Sequence, residues 1–218
     1  MDFLDVHTHK TARQKGVESI QSLSLTSDVF LAMPKTRPIS LGLHPWYASL
    51  DELEVQLKYL SVLAKQPNVK LIGECGLDKL RGESLENQTI ILAQQVTLAQ
   101  ELNKPLILHC VRAFAELILL KERLQIGVPM IIHGFNKSEE LGRQLINKGF
   151  LLSFGETILN QNSGAAKLLA QNENFFLETD DSEITIGEIY QAAANLKKCS
   201  VDQLKARIFA NWKGLNLL

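Results

Sequence analysis

Short runs of aliphatic and β-branched residues recur along this chain, and most are followed by polar residues. Apolar runs of this length with polar boundaries are typical of strands buried in a sheet. We predict eight such strands, at Asp2 to His7, Val17 to Leu25, Ile39 to His44, Val69 to Glu74, Leu106 to His109, Met130 to His133, Phe150 to Phe154 and Phe175 to Thr179.

Between the later strands the apolar positions change to the period of an amphipathic helix. Ser49 is predicted to cap the first of these helices, and Ser200 opens the last. The predicted helices are Leu50 to Ala64, Leu85 to Leu102, Phe114 to Leu124, Ser138 to Asn147, Ala165 to Ala170, Ile186 to Leu196 and Val201 to Phe209.

Strands that alternate with helices predict parallel pairing, because a parallel neighbour needs a crossover long enough to return. Eight such units in a chain of 218 residues predict one α/β domain over residues 1–218, a TIM-type (β/α)8 barrel. The links Lys10 to Gly16 and Thr26 to Pro38 are too short or too aperiodic for packed helices. We therefore expect a somewhat distorted barrel, with helices missing or reduced after the first two strands.

Composition and charge mainly exclude classes of protein. Hydrophobic residues make up 45% of the chain and charged residues 22%, as in globular proteins with a sizeable core. A net charge of −1 provides no general field for phosphates, so a nucleic acid would have to be held locally. No apolar stretch approaches the roughly 20 residues of a membrane helix. We expect a cytoplasmic protein without membrane interaction, and no obligate protein partner is evident.

The five histidines of the chain all fall at the carboxyl ends of predicted strands, which meet at one rim of such a barrel. Side-chain alternation along the first strand directs Asp5, His7 and His9 to one face. Paired imidazoles on one face suggest a metal site, although a surface strand can show the same spacing by accident. The five are His7, His9, His44, His109 and His133.

Two carboxylates join the histidines at predicted strand ends, Glu74 and Asp180. Together with His7, His9, His109 and His133 they make four imidazoles and two carboxylates, a mixture that suits zinc, manganese or magnesium. Six protein ligands are more than one tetrahedral site can hold. Two divalent ions sharing a bridging carboxylate use all six and leave room for water, which is an arrangement suited to phosphodiester cleavage. Three cysteines without CxxC spacing disfavour both a disulfide framework and a thiolate zinc site.

Seven motifs, in order along nearly the whole chain, make the resemblance to a known family specific. They are DVHTH (5–9), GLHP (42–45), GECGLD (73–78), PLILHCVRA (105–113), IIHGF (131–135), GFLLSFG (149–155) and ETD (178–180). In these motifs the chain resembles the TatD-type metal-dependent deoxyribonucleases of the amidohydrolase superfamily. The resemblance implies cleavage of DNA phosphodiester bonds, in single strands or at ends, by water activated by two divalent metals.

The resemblance also implies roles for individual residues. His7, His9 and Asp180 would bind one metal, and His109 and His133 the second. Glu74 would bridge both metals, and Asp180 would also accept the proton of the attacking water.

Supporting residues follow from the same motifs. His44 would contact the substrate or a metal-bound phosphate, with an ordinary strand-end hydrogen bond as the alternative. Asp5 would orient a ligand histidine, and Asp78 would fix the loop after Glu74. Arg112 is the candidate for gripping a phosphate, although the family places this arginine one position earlier, where this chain has Val111.

The chain departs from the family after the ETD motif, where Asp181-Ser182-Glu183 replaces a proline and an extended basic loop. Less positive charge beside the site weakens the binding of a polynucleotide. The alternative is therefore a hydrolase or phosphoesterase acting on a small phosphorylated or amide substrate. A third interpretation, structural metals in a barrel that binds a protein partner, is disfavoured because the predicted sites remain open to water.

Overall fold

All eight predicted strands are present in the computed structural model, which describes residues 1–26 and 33–218. Most ends agree within three residues, but β4 continues four residues beyond Glu74, to Asp78. The strands are β1 (Phe3–Thr8), β2 (Val17–Ser24), β3 (Ile39–Gly42), β4 (Val69–Asp78), β5 (Leu106–Val111), β6 (Met130–Ile132), β7 (Leu151–Phe154) and β8 (Phe176–Leu177).

The seven predicted helices are also present, but one predicted cap is wrong. Residues Leu50 to Glu52 form a turn, so the first helix starts later and Glu52 is its N-cap; Ser49 accepts instead from the backbone of Asp51. Ser200 caps the last helix as predicted. The helices are α1 (Leu53–Leu63), α2 (Leu85–Leu102), α3 (Phe114–Leu124), α4 (Glu139–Asn147), α5 (Gly164–Gln171), α6 (Ile186–Lys197) and α7 (Val201–Gly214).

The strands form one sheet in chain order, β1 to β8, and the pairings of β1 with β2, β3 with β4, β4 with β5 and β7 with β8 are parallel. The segment after β8 also pairs with β1, through a parallel bridge between Thr8 and Asp180. This is the strand order of a TIM-type (β/α)8 barrel, as predicted. Residues 9–16 contain no helix, which confirms the reduced connection after β1. Part of the predicted irregular link Thr26 to Pro38, residues 27–32, lies outside the described residues.

Contacts divide the chain into two compact units. The terminal unit comprises Met1–Gln21 and Ile132–Leu218, and the middle unit comprises Ser22–Ile131. Strands of both units are buried along most of their length, because helices follow the strands of a parallel sheet and cover it. The prediction of a single domain over residues 1–218 stays a prediction. Within residues 1–26 and 33–218, no helix has the length and apolar character needed to cross a bilayer.

Candidate metal centre

The terminal unit brings Asp180 beside the two histidines of β1. The backbone N–H of Asp180 donates to the carbonyl of His7 at 2.9 Å, and the N–H of His9 donates to the carbonyl of Asp180 at 3.4 Å. Asp180 has a φ of 50°, in the left-handed region that a non-glycine residue rarely adopts. These bonds to β1 hold a residue 170 positions away in the sequence, and the predicted group of His7, His9 and Asp180 does come together.

The side-chain atoms of this group stand at the spacing of ligands around one cation. Oδ1 of Asp180 lies 3.6 Å from Nε2 of His7 and 3.5 Å from Nε2 of His9, while Oδ2 lies 4.0 Å from Nδ1 of His133. These separations are longer than hydrogen bonds. Bonds of about 2.0–2.1 Å from a metal to imidazole and carboxylate place two ligand atoms roughly 3–4 Å apart. His7, His9, His133 and Asp180, which we call the terminal cluster, therefore fit a divalent cation.

Access differs among the members of the terminal cluster. His7 is fully buried, whereas the side chains of His9 and Asp180 are 36% and 38% exposed. Asp181, which the sequence did not single out as a ligand, also brings a carboxylate close to His9 and Asp180. Buried and exposed ligands together suit a centre that solvent can reach.

Asp5 supports the terminal cluster through the main chain. Its carboxylate accepts from the backbone N–H of Thr179 at 3.0 Å, from the Thr179 hydroxyl at 2.7 Å and from the backbone N–H of His7 at 3.4 Å. Burial raises the pKa of Asp5 to about 7, and the bonds from Thr179 oppose that rise. The predicted supporting role thus includes fixing the segments that carry His7 and Asp180.

Glu178 lies beside the terminal cluster and was not predicted as a site residue. It is fully buried, its Oε1 accepts from the backbone N–H of Gly134 at 2.6 Å, and the same oxygen lies 3.5 Å from Nδ1 of His133. The only signal was its place as the first residue of the ETD motif. Its carboxylate is placed to orient His133.

The middle unit assembles a second group, from within β4 and β5 and from the loop after β3. Oε1 of Glu74 lies 3.0 Å from Nε2 of His44 and 2.9 Å from Nδ1 of His109, and all three side chains are buried. The register between β4 and β5 shifts between Ile72 and Cys75, so Glu74 sits on a bulge. We call His44, Glu74 and His109 the middle cluster. It contains the predicted ligands Glu74 and His109 and adds His44 to them.

A glycine allows β4 to pass this close to β5. Gly76 has a φ of 150°, and a Cβ built on it would lie 1.9 Å from the carbonyl oxygen of His109. Any other residue would collide with the backbone that carries this ligand. The glycine of the GECGLD motif therefore has a steric role in the middle cluster.

Hydrogen bonds assign the histidine protons in the middle cluster. The backbone N–H of Trp46 donates to Nδ1 of His44 at 3.2 Å, so Nε2 of His44 carries its proton toward Glu74. That nitrogen is then a donor and not a metal ligand. Nε2 of His109 lies 3.1 Å from Oδ2 of Asp78, and Nδ1 lies 2.9 Å from Oε1 of Glu74. In the tautomer that donates to Asp78, Nδ1 keeps a lone pair for a metal. His109 and Glu74 therefore fit as ligands of a divalent cation, with Asp78 as the carboxylate behind the histidine.

Asp78 does more than the predicted fixing of a loop. It accepts from the backbone of Leu80 at 2.8 Å, which is that predicted role, and also from Nε1 of Trp46 at 2.7 Å. Burial alone would raise the pKa of Asp78, but hydrogen bonds from Trp46, Leu80 and His109 outweigh it and hold this pKa below its usual range. An ionised Asp78 is a strong acceptor for His109.

Arg112, the predicted phosphate ligand, lies at the end of β5 with an exposed side chain and a φ of 55°. In the described part of the chain, no hydrogen bond or ion pair ties its guanidinium to the middle cluster.

A cavity of about 320 Å³ adjoins Asp180 in the terminal unit. Its lining includes four carboxylates, those of Glu156, Glu178, Asp180 and Asp181, and no lysine or arginine among the described residues. Hydroxyl and amide groups of Thr157, Ser182 and Asn136 complete the polar wall.

Comparison with known proteins identifies the family. The family model described as TatD related DNase matches residues 4–215. The chain is 32% identical over 146 residues to the uncharacterized metal-dependent hydrolase YabD of Bacillus subtilis, covering 65% of this chain and 57% of that protein. It is 28% identical over 181 residues to the 3'-5' ssDNA/RNA exonuclease TatD of Citrobacter koseri, covering 79% and 69% of the two chains.

The fold has solved counterparts. The structure of YJJV, a TatD homolog from Escherichia coli, superposes with a TM-score of 0.80 at 23% identity and covers 98% of this chain and 97% of that one. A hydrolase of the TatD family from Entamoeba histolytica superposes with a TM-score of 0.77 at 16% identity. At these identities the likeness establishes the fold. With the family match across residues 4–215, the chain belongs to the TatD-related DNase family of metal-dependent hydrolases.

Proposed function

We propose that this chain hydrolyses phosphodiester bonds in single-stranded DNA or at DNA ends, with water activated by two divalent metals. The observation that carries the proposal is the placement of Asp180, whose carboxylate faces three imidazoles of the terminal cluster at 3.5–4.0 Å while 38% of its side chain is exposed. The name of the Citrobacter relative, a 3'-5' ssDNA/RNA exonuclease, supports the choice of substrate.

The residues that would hold the metals come from both clusters. His7, His9 and Asp180 would hold one ion, and His109 with Glu74 the other; the distance from His133 to Asp180 supports ligation by His133 beside the first. The bridging role of Glu74 is an inference from the family resemblance. When bound, divalent ions lower the pKa of a coordinated water and stabilise charge on phosphate oxygens.

The chain's own residues would handle the protons. Asp180 would accept the proton of the attacking water, a role supported by the 38% exposure of its side chain. His44 presents its Nε2–H at Glu74, and the same donor can serve a phosphate oxygen. Asp78 and Glu178 would keep His109 and His133 in fixed orientations during the reaction.

The test is release of nucleotides from an end-labelled single-stranded oligonucleotide in magnesium or manganese. The wild type should degrade the strand, whereas Glu74→Ala and His133→Ala should not. Glu54→Ala, an exposed carboxylate of α1, is the matched control and should behave as wild type. Absence of metal-dependent release above the level of the two site variants would refute the proposal.

A small phosphorylated or amide substrate is the second candidate, favoured by the acidic cavity beside Asp180. Four carboxylates repel a polynucleotide unless metals neutralise them. A screen of small phosphate esters, lactones and amides separates the two: faster turnover of one of these than of DNA, lost in Glu74→Ala, would favour the small substrate.

A further inference from the structure

Two loops of the middle unit place an aromatic pair and an arginine beside the middle cluster. Trp46 and Tyr47 follow His44, with ring centroids 4.8 and 5.5 Å from the His44 ring. The guanidinium of Arg81, from the loop after β4, lies 4.0 Å from the Trp46 ring centroid. Neither Tyr47 nor Arg81 belongs to a motif used in the sequence analysis.

Trp46 is held in place from two sides. Its Nε1 donates to Asp78 at 2.7 Å, and the ring of His109 meets it edge-on at 5.4 Å between centroids. Stacking on this fixed ring orients the guanidinium of Arg81 and leaves its N–H groups free to face a ligand at their edges.

The loop that carries Arg81 is also fixed. Nε2 of Gln88 donates to the carbonyls of Arg81 and Glu83, at 3.0 and 2.8 Å. Gly82 packs so closely on the preceding loop that a Cβ there would lie 2.1 Å from the carbonyl oxygen of Pro45. These contacts pre-organise Arg81, which lowers the entropy cost of binding through it.

Arg81 is exposed and contacts no carboxylate within residues 1–26 and 33–218. Lys79, two positions earlier, is by contrast paired with Glu116 at 2.6 Å. Tyr47 is 56% exposed although its ring contacts His44. An unpaired guanidinium and an open aromatic face beside a hydrolytic cluster match the two groups that bind single-stranded nucleic acids, one for phosphate and one for a base.

We propose that Arg81 binds a phosphate of the single strand and that Tyr47 stacks on the neighbouring base, which together position the strand at the middle cluster. This inference rests on the proposed function and assigns to Arg81 the phosphate contact that the family resemblance suggested for Arg112. Arg112 lacks such a stacked, fixed setting in the described part of the chain.

Binding is measured separately from cleavage, with a fluorescent phosphorothioate oligothymidylate that resists hydrolysis and the metal-loaded protein. Arg81→Ala and Tyr47→Ala should each weaken binding about tenfold, as expected for loss of one stacked base or one phosphate contact. Arg81→Ala should also reduce the slope of log affinity against log salt by about 0.7. Tyr47→Phe should bind nearly as wild type, because it keeps the aromatic face.

Arg123→Ala, an exposed arginine of α3, is the matched control and should change neither affinity nor slope. Equal affinities for Arg81→Ala and Arg123→Ala, in variants with unchanged thermal melting, would overturn the proposal. Arg81→Lys keeps the positive charge but loses the planar group that stacks on Trp46. Weaker binding by this variant than by the wild type supports the proposal even if Arg81→Ala has a lowered melting temperature. If the protein binds the strand through Arg81 but does not cleave DNA, the proposed function is refuted and this inference stands. If the protein cleaves DNA and both Arg81→Ala and Tyr47→Ala bind as wild type, this inference is refuted and the proposed function stands.

Discussion

The terminal and middle clusters contain similar side chains but differ in the spacing of those side chains and in their exposure to solvent. In the terminal cluster the nitrogen-to-oxygen separations are 3.5–4.0 Å and two side chains are more than a third exposed. In the middle cluster both histidines lie at hydrogen-bond distance from Glu74, and all three side chains are buried. One group is spaced for a cation and open to solvent, and the other is closed on a shared carboxylate.

The difference follows from how each cluster is built. Backbone bonds to β1 position Asp180, and its carboxylate stands 3.5–4.0 Å from the imidazole nitrogens of the terminal cluster. In the middle cluster the side chain of Asp78 positions His109, and the backbone N–H of Trp46 positions His44. We expect water to reach the terminal cluster readily and the side chains of the middle cluster to be the more rigid.

The largest effect should come from removing one carboxylate from each cluster in turn. Asp180→Asn should abolish ligation in the terminal cluster, and Glu74→Gln should do so in the middle cluster. Each variant should lose on the order of a hundred- to a thousandfold in kcat, as when one preorganised charged group is removed from an active site. Metal content should fall in both variants, as measured by elemental analysis of dialysed protein.

Glu86→Gln, an exposed glutamate in the first turn of α2, is the control and should keep both metal content and kcat. If Glu74→Gln retained full metal content and activity, the middle cluster would be a structural hydrogen-bond network rather than a metal site.

A smaller effect, on manganese affinity, should distinguish Asp78, which contacts His109, from Glu178, which lies beside His133. Asp78 lies at 3.1 Å from His109, within hydrogen-bond distance, whereas Glu178 lies at 3.5 Å from His133. Asp78→Asn should weaken manganese binding about ten- to a hundredfold, the range for loss of such a supporting carboxylate, and Glu178→Gln should weaken it less. Isothermal titration with manganese measures both. The reverse order would show that the terminal cluster is the more preorganised of the two.

The sequence predicted the strands and helices because their hydrophobic periods are local properties of the chain. It missed the first helix cap, since Leu50 to Glu52 adopt a turn that Ser49 itself supports. It predicted the candidate ligand positions through strand ends and family motifs. The partners of the histidines were not predictable, because contacts such as Asp78 with His109 depend on the bulge in β4 and on packing between strands.

Arg81 and Tyr47 show the same limit on sequence reasoning. Each lies in a loop after a different strand, and no spacing rule connects two loops. The stacked ring of Trp46, the close approach at Gly82 and a hydrogen bond from the backbone of Leu50 to Glu83 bring the two loops together.

The smallest expected effect concerns the support beneath Asp180. Thr179→Val removes the hydroxyl bonds to Oδ2 of Asp5 and to Oγ1 of Thr8, and it keeps the backbone bond to Oδ1 of Asp5. Because that backbone bond and the bonds from Asp180 to β1 remain, manganese affinity should fall only a few-fold, while stability should fall by roughly 1–2 kcal/mol, the usual worth of one or two such bonds. Urea unfolding and manganese titration measure the two effects. Asp5→Ala removes both bonds from Thr179 and should weaken manganese binding further. Equal effects of the two variants would mean that the backbone bond from Thr179 adds nothing and that Asp5 supports Asp180 through the hydroxyl bond alone.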